Sequence, residues 1–416
     1  MSLNPIDAAY FLIAAAASPT LVRKSRGGWS ERLGISLPAE PERTGRKRVL
    51  LHAVSVGEVN ALRTLVPILA DQADVFVCTT TDTGLARARE LYTDDATVCR
   101  MPMDFSWSVS RFLDRVRPDV VGLVELELWP NMLSVCGRRD IPVAVINGRL
   151  SARSFEGYSR ARPIISGMFA SLAVAAVQDE SYAERFRAMG ARRVEVTGSM
   201  KWDAANLSRD SQKADELAEQ LGIDRTKKLI VAGSTGPGEE ELLHAACPSG
   251  VQLLCAPRKP ERFDGAALAL GECVRRSTGE KRDGATRFLL DTIGELRLAY
   301  ELADLVVMGR SFGEQFGSDP TEPAALGKAT MIGPSVGDFT AIVAELEKAG
   351  GLARTTRRSL GADLERLIRD DQSRQKLAEA AERCVLANRG SSARHAELLL
   401  ALSDLTKRRR GPRVGG

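Results

Sequence analysis

The feature that most constrains this chain is a strand–helix rhythm that runs twice. From Lys47 onward, short apolar runs alternate with helical stretches. "RVLLHAV" (48–54), "DVFVCTTT" (74–81), "PDVVGLVE" (118–125), "IPVAVING" (141–148), "LAVAAVQD" (172–179) and "RRVEVTGS" (192–199) read as strands. "ALRTLVPILADQ" (61–72) and "TGLARARELY" (83–92) read as helices between them. The strand runs are almost continuously apolar, so both of their faces must be covered. That implies a parallel sheet with helices on each side. A polar stretch from 202 to 228, long enough for a linker and one helix, interrupts the pattern. It then restarts with "LIVAGST" (229–235), "VQLLCAP" (251–257), "RFLLD" (287–291), "DLVVMG" (304–309) and "ATMIG" (329–333). A helical stretch from roughly 361 to 405 closes the chain. We expect an α/β protein of two open parallel-sheet domains, with ligands at the strand ends, in the cleft that the domains face.

A chain of 416 residues exceeds what one core usually serves. The expected division is an N-terminal apolar and basic segment (1–34), a first domain (35–205) and a second domain with the C-terminal helix and a basic tail (206–416). Net charge is only +4, which gives no argument for nucleic acid. Seven cysteines without a CxxC pair indicate buried thiols in a reducing compartment. Three histidines without ligand spacing argue against zinc. The apolar run Ala8 to Val22 is too short, and too interrupted by Ser18-Pro19, to span a bilayer. It suits an interfacial helix followed by Arg23, Lys24, Arg26 and Arg32, or an ordinary packed helix. The tail of Lys407, Arg408, Arg409, Arg410 and Arg413 is either a solvated end or attracted to an anionic membrane surface.

Several strand-to-helix turns carry chemistry. Ser55-Val56-Gly57-Glu58 has capping-box spacing. The helix start would also keep Glu58 ionised, as a general base requires, and the local pattern admits both readings. In "VELELWPN", Glu125 and Glu127 are two apart at a strand end, which would place both carboxylates on one face. Arg149, Arg153, Arg160 and Arg162 lie in what reads as a polar loop, where guanidinium forks suit phosphate or carboxylate. Lys201 follows a strand near the domain junction. In the second half, "VAGSTGPGEEE" (231–241) is a glycine-rich loop whose amides could hold a phosphate. It lacks the P-loop ending, and no GxGxxG fingerprint is present. Pro257-Arg258 ends another strand, and Glu322 begins a helix, where it could accept ribose hydroxyls or act as a first-turn acid.

Taken together, "HAVSVGEV", "ELELWPN", "NGRLSARSFEGY", "VTGSMKWD", "VAGSTGPGEEE", "APRKPERF", "DTIGEL" and "DPTEPAALGK" resemble the Kdo (3-deoxy-D-manno-octulosonic acid) transferases of lipopolysaccharide assembly. The resemblance runs from about residue 27 to the last helix. It implies a GT-B fold of two Rossmann-like domains facing a cleft, the first for acceptor and the second for donor. It implies inverting transfer of Kdo from CMP-Kdo to a lipid A precursor, with no metal or cofactor, at the cytoplasmic face of the inner membrane. Attachment there would be peripheral or through the N-terminus. Glu58 falls on the family's catalytic base, and a family acid falls on Glu125 or Glu127. Lys201 falls on a lysine that stabilises the transition state. Pro257, Arg258, Ile293, Gly294, Glu295, Asp319, Pro320, Thr321 and Glu322 fall on the CMP-binding segments. The chain departs from the family on the donor side. Ser318 and Asp319 stand where the family has His-Asn, and Lys259 where it has a histidine. Competing readings are another GT-B transferase or an epimerase, and a non-catalytic sugar- or lipid-binding protein.

Overall fold

The computed structural model describes residues 6–8, 10, 27–39, 44–205 and 207–410, with backbone only for 338 and 406–410. Most of the N-terminal apolar segment, and the side chains of the basic tail, lie outside the described residues. The chain divides into two compact units: residues 1–204 with 389–416, and residues 205–388.

The first unit is built on a seven-stranded sheet: β1 Lys47–His52, β2 Ala73–Thr79, β3 Thr97–Arg100, β4 Val120–Val124, β5 Val143–Gly148, β6 Val174–Val177 and β7 Val194–Val196. Their order is β3-β2-β1-β4-β5-β6-β7, and every pairing is parallel. Leu50, Val121, Leu123 and Val145 pack on one face, and Val49, Leu51, Val120 and Ile146 on the other. Each strand buries alternate residues on opposite faces, which is why these runs are apolar throughout.

The second sheet holds β8 Leu229–Thr235, β9 Gln252–Pro257, β10 Val274–Arg275, β11 Arg287–Leu289, β12 Leu305–Met308, β13 Thr330–Ile332 and β14 Ala353–Arg354. Its order is β10-β11-β9-β8-β12-β13-β14, again all parallel. In both sheets the connections run one way from the central pair and then the other. The reversal opens a crevice beyond the carboxyl ends of β1 and β4 in the first unit, and of β8 and β12 in the second.

Three expectations need correcting. The last helix, Ser391–Arg410, belongs to the first unit, not the second. Ala396, Leu398, Leu399 and Leu402 are buried in the same core as Leu51, Val120 and Ile146, so apolar burial returns it there. The arginine-rich "loop" is two helices, Ala152–Arg160 and Arg162–Ala170. Ser151 caps the first by accepting from the Ser154 N–H at 3.1 Å. Finally, Arg32 is no surface cation. It is buried, donating to Thr80 O at 2.8 Å and pairing with Asp82 at 3.0 Å.

Candidate functional site

At the first sheet's reversal, β1 runs through Val54 and Ser55 into the helix Val56–Ala61. Ser55 is the N-cap, its hydroxyl oxygen accepting from the Glu58 N–H at 3.4 Å. The Glu58 carboxylate turns back over that cap. Its Oε1 accepts from the Ser55 hydroxyl and its Oε2 from the Val54 N–H, both at 2.8 Å. In a regular capping box the acid would take the N-cap residue's own N–H; here it takes the preceding one. Glu58 is only 9% exposed. Burial raises its pKa to about 7, against the lowering effect of the Val54 and Ser55 hydrogen bonds and with smaller upward contributions from Glu127 and Glu125. The expectation that the helix start keeps Glu58 fully ionised is therefore corrected: desolvation outweighs the dipole. A carboxyl that titrates near neutrality, held by two donors, is suited to take a proton from an attacking hydroxyl.

Glu125 and Glu127 approach from the other side of the reversal, beyond β4. They do not share a strand face. The strand ends at Val124, and Glu125 takes a left-handed conformation, φ 59°. Its N–H still reaches Ile146 O at 3.0 Å, so the chain leaves the sheet immediately afterwards. Glu127 accepts from the Trp129 indole N–H at 3.0 Å, and burial raises its pKa. The Trp129 ring meets His52 edge-on at 5.4 Å between centroids. Burial lowers the His52 pKa to about 4, so this imidazole is neutral at physiological pH.

Lys201 stands on the short turn Met200–Trp202 after β7. Its neighbours are fixed firmly. Met200 and Trp202 are buried, and the Met200 N–H donates to Asn147 Oδ1 at 3.1 Å. Asn147 sits in a bulge of β5 at φ 51°, which frees its own N–H from the ladder. That N–H donates to His395 Nε2 at 2.8 Å. Because Nε2 accepts, Nδ1 carries the proton and donates to Ser391 O at 2.7 Å. Asp203 then caps the helix bearing His395, accepting from the Gly390 and Ser392 N–H groups at 2.6 Å each. Sequence reading missed Asn147, Asp203 and His395. The available signal was the i, i+4 pair Ser391 and His395 at the start of an apolar helix.

In the second unit, Pro257 ends β9 buried and Arg258 follows it exposed, its N–H donating to Thr235 O at 3.1 Å. Glu295 is ion-paired to Arg276 at 2.9 Å and accepts from the Thr292 hydroxyl. This fixes one end of a turn in which Ile293 is 73% exposed and Gly294 takes φ 97°. Asp319 accepts from the Thr321 N–H at 2.9 Å and its hydroxyl at 2.7 Å, a turn that starts the helix Thr321–Ala325. Pro320 is its N-cap, and Glu322 in the first turn lies 4.0 Å from Arg297. The Ser318 hydroxyl, 5% exposed, finds no protein partner. The four arginines 149, 153, 160 and 162 are all exposed, and Arg160 pairs with Glu156 along its own helix. Among the described residues, no group of three or more His, Cys, Asp or Glu side chains could hold a metal ion.

A family model described as 3-deoxy-D-manno-octulosonic-acid transferase (kdotransferase) matches residues 27–204. The 3-deoxy-D-manno-octulosonic acid transferase of Haemophilus influenzae is 31% identical over 369 residues, covering 84% of this chain and 86% of the relative. That of Bordetella pertussis is 29% identical over 409 residues, covering 91% and 93%. Among solved structures, Anabaena Alr3699/HepE in complex with UDP superposes with a TM-score of 0.58 over 86% of this chain and all of that one, at 14% identity. At that identity the likeness speaks to the fold, two Rossmann-like units of the GT-B type. On the strength of the near-full-length relatives, the chain belongs to the Kdo transferase family of glycosyltransferases.

Proposed function

We propose that this chain moves Kdo from CMP-Kdo to a hydroxyl of a lipid A precursor, with inversion at the anomeric carbon. The observation that carries the reading is the Glu58 carboxyl at the first sheet's reversal, buried, doubly hydrogen-bonded and titrating near 7. In the reaction the acceptor oxygen bonds to the anomeric carbon as the bond from that carbon to the CMP phosphate oxygen breaks. The hydroxyl proton passes to Glu58, and CMP departs with the bonding pair. Lys201, set on its anchored turn, stabilises the charge that develops in the transition state. Glu127, oriented by Trp129, and Glu125 lie close enough to raise the pKa of Glu58. In the second unit, Pro257-Arg258, Ile293-Gly294-Glu295 and Asp319 to Glu322 take up the CMP moiety, with Arg258 facing its phosphate.

The acceptor is a lipid, so the enzyme works at the cytoplasmic face of the inner membrane, attached peripherally or through its N-terminus. Among the described residues no helix is long and apolar enough to cross a membrane. The exposed arginines 153, 160 and 162, beside Tyr158 at 41% and Ile164 at 84% exposure, suit contact with anionic lipid. The test is purified protein with CMP-Kdo and tetraacylated lipid A precursor, products weighed by mass spectrometry. Adducts of one Kdo mass or multiples of it support the reading. Transfer from a UDP-sugar and none from CMP-Kdo would overturn it.

A further inference from the structure

At the second sheet's reversal, Glu239, first residue of the helix Glu239–Ala246 and 2% exposed, sets a buried carboxylate between the loops that leave β8 and β12. Four backbone N–H groups converge on that carboxylate. Gly236 and Arg310 donate to Oε2 at 2.8 and 2.6 Å. Ser311 and Phe312 donate to Oε1 at 2.9 and 3.0 Å. Gly236 lies in the loop leaving β8; the other three lie in the loop leaving β12. Converging amides of this kind form a nest for an anion, and here the anion belongs to the chain. Four donors match the number of lone-pair sites a carboxylate offers.

The backbone is shaped for this arrangement. Ser234 and Arg310 take left-handed conformations at φ 56° and 58°, which non-glycine residues adopt only at a cost. The two loops also cross at very short range: a Cβ on Gly309 would lie 2.5 Å from the Thr235 Cα. Glu240 extends the clasp, accepting from the Thr235 hydroxyl at 2.7 Å and from Arg262 at 2.8 Å. The held backbone leads directly to donor segments. Thr235 O takes the Arg258 N–H at 3.1 Å, and Arg310 O takes the Gly317 N–H at 2.9 Å, two residues before Asp319.

We propose that Glu239 is a positioning residue for the donor nucleotide. Its carboxylate stands where a bound anion would otherwise sit and clasps the loops after β8 and β12 into one arrangement. Arg258 and the Asp319–Glu322 turn are thereby held ready for the cytidylate. The proposal rests on the reading of the second unit as the donor unit, and its test separates the two.

Glu239→Gln and Glu239→Ala are made in the full chain. Gln keeps the volume but offers one acceptor oxygen, and its NH2 group opposes two of the four N–H donors. Four readouts are taken: circular dichroism, amide hydrogen exchange over residues 233–238 and 309–317, CMP affinity by calorimetry, and steady-state kinetics for donor and acceptor. For Glu239→Gln the expected result is an unchanged fold, faster exchange confined to those two segments, and at least a tenfold weaker CMP affinity. The kinetic loss should fall on the donor KM, with the acceptor KM unchanged. In Glu239→Ala, added formate should restore part of the CMP affinity by occupying the emptied nest. Wild-type CMP affinity in a folded Gln variant overturns the proposal. So does faster exchange with unchanged CMP affinity, which would make Glu239 a brace with no bearing on the donor, and so does a loss in a folded Ala variant that formate leaves untouched. Should the Ala variant not fold, the Gln variant alone decides. Wild-type protein that binds no CMP sinks the donor reading and this assignment with it, while the exchange data still report whether Glu239 holds the loops.

Discussion

Replacing Glu58 with glutamine separates its two roles, because the cap and the base respond differently to pH. Burial moves the Glu58 carboxyl from an ordinary 4.5 to about 7 in the folded protein. Each pH unit by which burial raises that value corresponds to about 1.4 kcal/mol, so ionising the carboxyl in place costs about 3 kcal/mol. The sign follows from linkage. Between these two values the folded state binds the extra proton, so stability falls as pH rises through that window and is level on either side. Glutamine cannot ionise, and its carbonyl can still accept from Val54 while its NH2 donates to Ser55. The stability of Glu58→Gln relative to wild type should therefore rise by about 2 to 3 kcal/mol between about pH 5 and about pH 8.5. Denaturant titrations of both proteins across that range measure it, and contributions common to the two cancel. Transfer should meanwhile fall by a factor on the order of 100 to 10,000, the usual worth of a general base. Wild-type kcat/KM for the acceptor should climb about tenfold per pH unit below 7 and level off above. A stability difference that ignores pH, or a wild-type rate that stays flat through neutrality, would refute the argument that burial tunes this carboxyl for proton transfer.

Other consequences follow from the same geometry. If Lys201 acts on developing charge as proposed, Lys201→Ala should lower kcat by roughly 100-fold with little change in the donor KM; steady-state kinetics decides. Asp203→Ala removes both N–H caps from the last helix and should cost about 1 to 2 kcal/mol of stability, read in denaturant titrations. Gly309→Ala drives a Cβ into Thr235 backbone and should cost about 3 kcal/mol, or prevent folding, as thermal melting would show.

The sequence made the two parallel sheets legible because buried strands leave uninterrupted apolar runs, and that signal survives without any knowledge of pairing. Short edge strands such as Val274–Arg275 and Ala353–Arg354 leave almost no such run, so they were invisible. Glu58 was legible as a cap, yet its protonation was not, because burial is set by the folded surroundings and the added charges of Glu127 and Glu125 come from beyond β4. Glu125 and Glu127 were misplaced because period-two spacing continues in the letters after the strand has ended in space. The glycine-rich loop before Glu239 invited a phosphate. Only three-dimensional contact with Arg310, Ser311 and Phe312 shows that a side chain has taken that position. His395, on a helix nearly 250 residues from Asn147, offered only its i, i+4 spacing from Ser391, which says nothing of its distant partner.

The return of the last helix to the first sheet has a consequence for biosynthesis. Residues 205–388 are a continuous stretch and can leave the ribosome as a complete folding body. The other unit is split, so its core and the Asn147 bulge must wait, part-built, until Leu399 and His395 are translated. A nascent chain stalled before residue 389 should thus carry an exposed apolar flank on β1 and β4, a natural target for chaperones. Premature stop codons near the end of the gene would then disable the first unit, although every residue proposed for catalysis precedes them.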